Sequence, residues 1–163
     1  MDMTSLSICS LNIRGLRNKT KRKAFFHNLR KNHFDIICLQ ETYIIDNDLE
    51  QWEREWGGSV YYSSVSNHSM GQIILVRKNF PFGVERVYKC SRILAVNITC
   101  EDNTLLVANV YGPNNRQEKE LFFRQVQECV INSTANQKIV CGDFNTVMDN
   151  QYDIISGEKH NVN

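Results

Sequence analysis

With 163 residues, of which 42% are hydrophobic, the chain is long enough to bury one substantial core and calls for no second domain, so a single domain over residues 1–163 is expected. Charged residues make up 23% and the formal net charge is +1, which excludes a strongly polycationic or polyanionic protein and makes any electrostatic footprint on a partner local. No stretch approaches the ~18 apolar residues of a membrane span, and Met1-Asp2-Met3-Thr4-Ser5 lacks the basic flank and apolar run of a secretory leader, so the expectation is an intracellular protein, neither secreted nor membrane-bound.

Six cysteines, at 9, 38, 90, 100, 129 and 141, lie mostly in apolar runs such as Ile36-Ile37-Cys38-Leu39 and read as reduced, buried thiols. Triplets such as Asn67-His68-Ser69 and Asn97-Ile98-Thr99 have the form of glycosylation sites, but with no secretory signal they are read as chance matches.

In chain order, residues 6–11 form an apolar, strand-like run ending at Asn12. A helix is predicted over 21–31, where Phe25, Phe26 and Leu29 recur at helical spacing. A second strand over 36–39 ends at Gln40 and Glu41. Strands over 59–64, 72–76, 84–88 and 93–99 follow, several alternating and separated by short polar turns. The run 105–110 ends at Tyr111-Gly112-Pro113-Asn114. A helix over 117–130 carries Phe122, Phe123, Val126 and Val130 on one face, and a last strand over 139–141 ends at Gly142-Asp143-Phe144-Asn145. With no repeat, no low-complexity tract and only two prolines, the sum is α/β: two sheets packed face to face with helices outside.

Four apolar strands thus deliver polar residues from their C-terminal ends: Asn12, Glu41, Tyr111, Asn114, Asp143 and Asn145. Any one of these alone is better explained as a satisfied cap or turn. Together, from strands able to lie side by side, they make a polar rim in which two carboxylates come close, an arrangement that a divalent cation relieves. Oxygen donors without His or Cys favour Mg²⁺ over zinc, with Mn²⁺ as the alternative. There is no C-x-x-C pair, the histidines at 27, 33, 68 and 160 have no ligand spacing, and no phosphate-cradling P-loop is present. A cation, a carboxylate acting on water and Asn and Tyr donors outline a phosphate-hydrolysing site.

Ser10-Leu11-Asn12-Ile13-Arg14-Gly15-Leu16, Leu39-Gln40-Glu41-Thr42, Asn109-Val110-Tyr111-Gly112-Pro113-Asn114 and Cys141-Gly142-Asp143-Phe144-Asn145-Thr146 resemble four ordered motifs of the exonuclease III and apurinic-endonuclease superfamily. The resemblance spans nearly the whole chain and implies a four-layered α/β sandwich. It further implies Glu41 as principal magnesium ligand, Asn12 in the metal and phosphate network, Tyr111 and Asn114 on the scissile phosphate, Asp143 activating the water and Asn145 helping to hold it. Arg14 stands where repair endonucleases often have an acidic residue, and Tyr43 where they often have lysine. The motif forms are more similar to the endonucleases of LINE-type retrotransposons, which implies DNA nicking, a nuclear location and a reverse transcriptase region in the same full-length polypeptide. A phosphatase of lipid headgroups or other small substrates, and a catalytically silent remnant, are the other readings.

Arg14, Arg17, Lys19, Lys21, Arg22 and Lys23 follow the first strand directly and form either a contact to DNA backbone phosphates or an ordinary solvated loop and helix start. The family completes its site with a later acidic residue and a Ser-Asp-His-like ending. Residues 149–163 offer neither, and His160 follows Glu158-Lys159, so the expectation is a partial domain, incomplete at its C-terminus and inactive by itself.

Overall fold

The computed structural model describes residues 6–64 and 71–146. The elements are β1 (Ile8–Asn12), α1 (Lys19–Lys31), β2 (Ile36–Gln40), a 3-10 turn (Asp46–Asp48), α2 (Leu49–Trp56), β3 (Ser59–Ser63), β4 (Gln72–Val76), β5 (Gly83–Lys89), β6 (Ile93–Cys100), β7 (Asn103–Tyr111), α3 (Arg116–Ile131) and β8 (Gln137–Asp143). The sequon at Asn67, together with residues 149–163, falls outside the described residues.

Two mixed four-stranded sheets form, with strand orders β1-β2-β4-β3 and β5-β6-β7-β8. Each contains one parallel pair, β1 with β2 and β7 with β8, and these are the pairs joined through helices α1 and α3. A parallel pair needs such a crossover, and the N-termini of both helices are set by asparagine: Asn18 accepts from Lys21 N and Asn115 from Gln117 N.

Strand alternation sorts the side chains into three cores. Ile36 and Cys38 of β2 and Ile74 of β4 face Leu94, Val96, Leu105 and Val107 of the second sheet. The intervening Ile37, Leu39, Ile73 and Leu75 face outward against Phe26, Leu29, Trp52 and Trp56 of α1 and α2. On the far side Ile93, Ala95, Leu106 and Ala108 meet Phe122 and Cys129 of α3. Both faces of β2 and β4 are therefore buried, which explains their continuous apolar sequence. The result is the expected four-layered sandwich. All six cysteines are free thiols, and among the described residues no helix is long and apolar enough to cross a membrane.

The predicted elements are all present, the strand over 72–76 with the same bounds and the others with shifted ones, and α2 is an addition. Its eight residues carry Trp52 and Trp56 one turn apart, and both tryptophans are buried under the first sheet. At the other end of the chain β8 begins at Gln137 and runs on through Gly142 to Asp143, so the predicted strand over 139–141 is its middle only.

Candidate active site

The C-terminal ends of β1 and β2 in one sheet meet those of β7 and β8 in the other. The four strands do not lie side by side. They form two parallel pairs facing across the sandwich, and the rim is closed between the sheets. Asn12 is the bridge: its amide Nδ2 donates to Glu41 Oε1 and to Asp143 Oδ2, each at 2.9 Å. The two carboxylates, one from each sheet, are thus within two hydrogen-bond lengths of each other. Tyr111 OH donates to the same Glu41 Oε1 at 2.9 Å, and Tyr43 OH reaches Glu41 Oε2 at 3.3 Å.

Backbone conformation aims these groups. Glu41 sits at φ 53° immediately after β2, and Arg14, Tyr43 and Asn145 are also left-handed, a conformation sparsely populated by non-glycine residues and concentrated at functional rims. The loops after β1 and β2 are zipped together by Ile13 N to Gln40 O, Gly15 N to Glu41 O and Leu16 N to Thr42 O. On the other sheet Gly142 adopts φ 142°, and a Cβ there would lie 2.0 Å from Val110 O, so only glycine lets β8 pass this close to β7. Gly112 N donates to Asp143 O, Asn145 Nδ2 donates to Gly112 O, and Asn145 N donates to Asp143 Oδ1 at 3.0 Å. Asn145 thereby braces the Asp143 turn.

Beneath the rim lies a buried amide network not foreseen from the sequence. Asn109 Nδ2 donates to Leu39 O and Ile73 O of the first sheet, and its Oδ1 accepts from Gln40 Nε2 at 2.6 Å. Gln72 Nε2 donates to Arg92 O. These amides tie the sheets together directly below Glu41. In the sequence the network's signal is a polar residue within or at the end of a strand run that is otherwise apolar, Asn109 in 105–110 and Gln40 after 36–39.

A cleft of about 300 Å³ opens beside the constellation, lined by Glu41, Tyr43, Tyr111, Asn114 and the Arg92–Glu118 ion pair at 2.8 Å. Asn114 is exposed on its wall. Arg92, a cation in the cleft, was not singled out from sequence. Burial, reinforced by the hydrogen bond and charge of Glu41, pushes the Tyr111 hydroxyl up to about 12, and the same causes raise Tyr43. Both therefore stand as proton donors at neutral pH.

Among the described residues no group of three or more His, Cys, Asp or Glu side chains gathers, so a cation here would be held through Glu41, with neutral oxygens and water completing its shell. That donor set fits Mg²⁺, which takes one or two carboxylates and keeps water. Asn12 was expected in the metal and phosphate network. Its amide N–H groups go to the two carboxylates and its Oδ1 accepts from Arg14 N, so the visible work of this residue is positioning.

The basic residues separate. Arg14 stays exposed at the rim, and Arg17 is exposed in the loop that follows. Lys21 Nζ donates to Ile13 O and Gly15 O and pins that loop. Lys19 lines a different groove, on α1 and α2. Arg22 is a correction: it is buried, pairs with Glu55 at 2.6 Å, donates to Leu16 O and Arg17 O, and stacks 4.7 Å from the Trp52 ring. With four of its five N–H groups engaged and its side chain buried, this guanidinium holds α1 to α2 and presents no face to DNA.

Residues 9–152 match the Endonuclease/Exonuclease/phosphatase family model, and the chain belongs to that family. It is 26% identical over 148 residues to the transposon TX1 uncharacterized 149 kDa protein of Xenopus laevis, covering 89% of this chain and 11% of that protein. To the exodeoxyribonuclease of Bacillus subtilis (strain 168) it is 29% identical over 153 residues, covering 86% of this chain and 58% of that one. The chain therefore spans a small part of the first relative and somewhat over half of the second. Two solved structures share the fold. The endonuclease domain of TRAS1, a telomere-specific non-LTR retrotransposon, superposes with a TM-score of 0.63 at 15% identity over 88% of this chain and 62% of that one. D. rerio TDP2 complexed with single strand DNA product gives 0.63 at 20% identity over 90% and 62%.

Proposed function

We propose that this domain hydrolyses phosphodiester bonds of DNA with Mg²⁺ as cofactor and Mn²⁺ as its substitute, as a nicking endonuclease of the kind carried by non-LTR retrotransposons. The observation that carries the reading is the hydrogen-bonded set Glu41, Asn12, Asp143 and Tyr111, contributed by four strand ends of two sheets. Similarity to a transposon protein and to the TRAS1 endonuclease domain supports the substrate class. The proposed place of action is the nucleus. The full-length polypeptide is proposed to include a reverse transcriptase region, in keeping with a 149 kDa transposon relative of which this chain matches 11%.

Glu41 would hold the magnesium ion, which when bound polarises a phosphoryl oxygen and offsets charge on the leaving oxygen. Tyr111, whose raised pKa keeps its hydroxyl protonated at neutral pH, would turn its single O–H from Glu41 to a non-bridging phosphate oxygen once a cation takes up the Glu41 carboxylate, and Asn114 offers a second donor from the cleft wall. A carboxylate has about four acceptor sites, and among the described residues two hydrogen bonds, from Asn12 and Asn145, reach the Asp143 carboxylate. A remaining lone pair orients the attacking water and takes its proton as the new P–O bond forms and the P–O bond to the leaving sugar breaks.

Glu41→Gln keeps the shape and removes the charge. In the full-length polypeptide it should abolish Mg²⁺-dependent relaxation of supercoiled plasmid and weaken Mg²⁺ binding in calorimetry; wild-type metal affinity in the variant would sink the assignment. Asp143→Asn should retain Mg²⁺ binding and a melting midpoint within a few degrees while turnover falls by orders of magnitude. Faster turnover of inositol phosphates than of DNA would replace the substrate class.

A further inference from the structure

A groove of about 770 Å³ runs along the outer helical layer, away from the constellation, lined by Lys19, Lys23, His27 and Arg30 of α1 and by Arg54 and Glu55 of α2. The α1 residues follow each other at steps of four, four and three and so occupy one helical face. Four residues of helix rise about 6 Å, on the order of the spacing between phosphates in an extended strand. The one acid of the groove is already committed: Glu55 accepts from Arg22 Nε at 2.6 Å, Arg22 Nη2 at 3.1 Å and Gln51 Nε2 at 2.9 Å. Among the described residues no ion pair forms at Lys19 or Lys23. Arg54 meets Glu50 only at 3.8 Å in full solvent, a pair that water and salt screen.

Arg30 is held in place by Glu55 O and Trp56 O and belongs to a second concavity of about 480 Å³, where His33, Phe34 and Lys78 line the wall. The acid of that concavity, Asp35, is ion-paired with Arg77. Through Arg30 the two hollows form one continuous basic track. Its upper end is the first turn of α1, which carries no acidic residue. Cations crowded at a helix N-terminus oppose the helix dipole, and a bound anion relieves that opposition. The same turn follows directly on the Asn12–Asn18 loop that leaves the catalytic rim, pinned to it by Lys21.

We propose that this track is a second nucleic-acid site, which takes the sugar–phosphate backbone of a single strand leaving the catalytic rim and leads it down α1 from Lys19 past Lys23 to Arg30. The proposal rests on the nuclease reading for the origin of the strand. A line of single cations in a concave groove matches a regularly charged strand better than it matches a flat anionic membrane, which apolar anchors would favour. Phosphate contacts here carry no sequence information, so the strand is gripped whatever its bases.

The test uses the whole chain carrying Glu41→Gln, in EDTA, so that no cleavage intrudes. Fluorescence anisotropy follows binding of a labelled single strand of about twenty nucleotides, and of a short oligomer of about six, across a salt series. Lys23→Gln with Arg54→Gln should weaken the long strand roughly tenfold and flatten its salt slope by about 1.4, two contacts at about 0.7 each. The short oligomer should be unaffected, as should long-strand binding in Arg124→Gln on α3. Unchanged affinity and slope for the long strand, in a variant whose melting curve matches the parent, overturns the proposal. Equal loss of long and short oligomers also overturns it, by placing the contacts at the rim. Tighter binding of polyglutamate than of DNA assigns the track to an acidic protein. If Glu41→Gln were found to cleave normally with Mg²⁺, the catalytic reading would fail while the anisotropy result still judged the track.

Discussion

Asn12 concentrates the chemistry of the site in one amide. Both of its N–H groups are engaged by carboxylates from different sheets, so its orientation is dictated by two acceptors that a carbonyl oxygen would repel. Tyr111 is the other donor to Glu41 Oε1, and the burial and carboxylate that surround it have a consequence for pH. The folded phenol titrates near 12 against an ordinary value of 10.0, so its folded pKa is raised and the neutral form is favoured by folding. The associated stability is complete below about pH 10 and is lost as pH rises towards 12. In an ultraviolet titration, Tyr111→Phe should remove a late-titrating tyrosine and leave the protein less sensitive to alkali between those values. Loss of an ordinary, early-titrating tyrosine would show that the hydroxyl is not held by Glu41. The identities of Glu41, Asp143, Tyr111 and Asn12 were legible in the sequence because each ends an apolar run. That Asn12 positions the carboxylates was not, since the acceptors are 29 and 131 residues away.

At the scale of the helix, Arg22 shows what charge counting misses. The buried stripe of α1 is Arg22, Phe26 and Leu29, spaced as i, i+4 and i+7, so a cation occupies the position that helical periodicity reserves for an apolar residue. Its partners Glu55 and Trp52 stand on α2, a helix too short to declare itself by periodicity, and without α2 in view Arg22 reads as surface. Arg22→Met should destabilise the fold by about 3–5 kcal/mol in urea unfolding, because Glu55 is left enclosed without its cation, and Arg22→Met with Glu55→Met should recover most of that loss. Arg22 beside Glu55 holds its carboxyl below the usual glutamate range. The pair's contribution is therefore present above the unfolded glutamate pKa and lost as pH falls through the lower folded one, and the double variant should lack that acid-sensitive component.

Over the whole molecule, layer count and strand content followed from apolar runs and turn residues, while the assignment of strands to sheets did not. A parallel pair and an antiparallel pair look alike along a sequence such as Ile36-Ile37-Cys38-Leu39, and the motif order carries no mark that Asn12 and Glu41 belong to one sheet and Tyr111 and Asp143 to the other. The sheets are held in register at that end by Asn109, whose three side-chain hydrogen bonds all go to the first sheet. Asn109→Leu leaves Gln40 and two carbonyls short of partners. It should cost about 1–3 kcal/mol for each group that water does not reach, read as an earlier urea midpoint. An unchanged midpoint would mean that the amide network is dispensable.

Placing one carboxylate on each sheet makes the catalytic pair a caliper closed across the thickness of the sandwich. Its jaws are Glu41 and Asp143, and its hinge is the apolar filling that includes Val96 and Val107. Anything that thins or swells that filling changes the opening of the jaws before it unfolds the protein, since packed interiors transmit strain. Trimming Val107 to alanine, far from any substrate, should therefore lower turnover at temperatures where circular dichroism still shows a fully folded chain. Moderate hydrostatic pressure, which favours smaller internal volume, should alter the rate of the trimmed variant more than that of the parent.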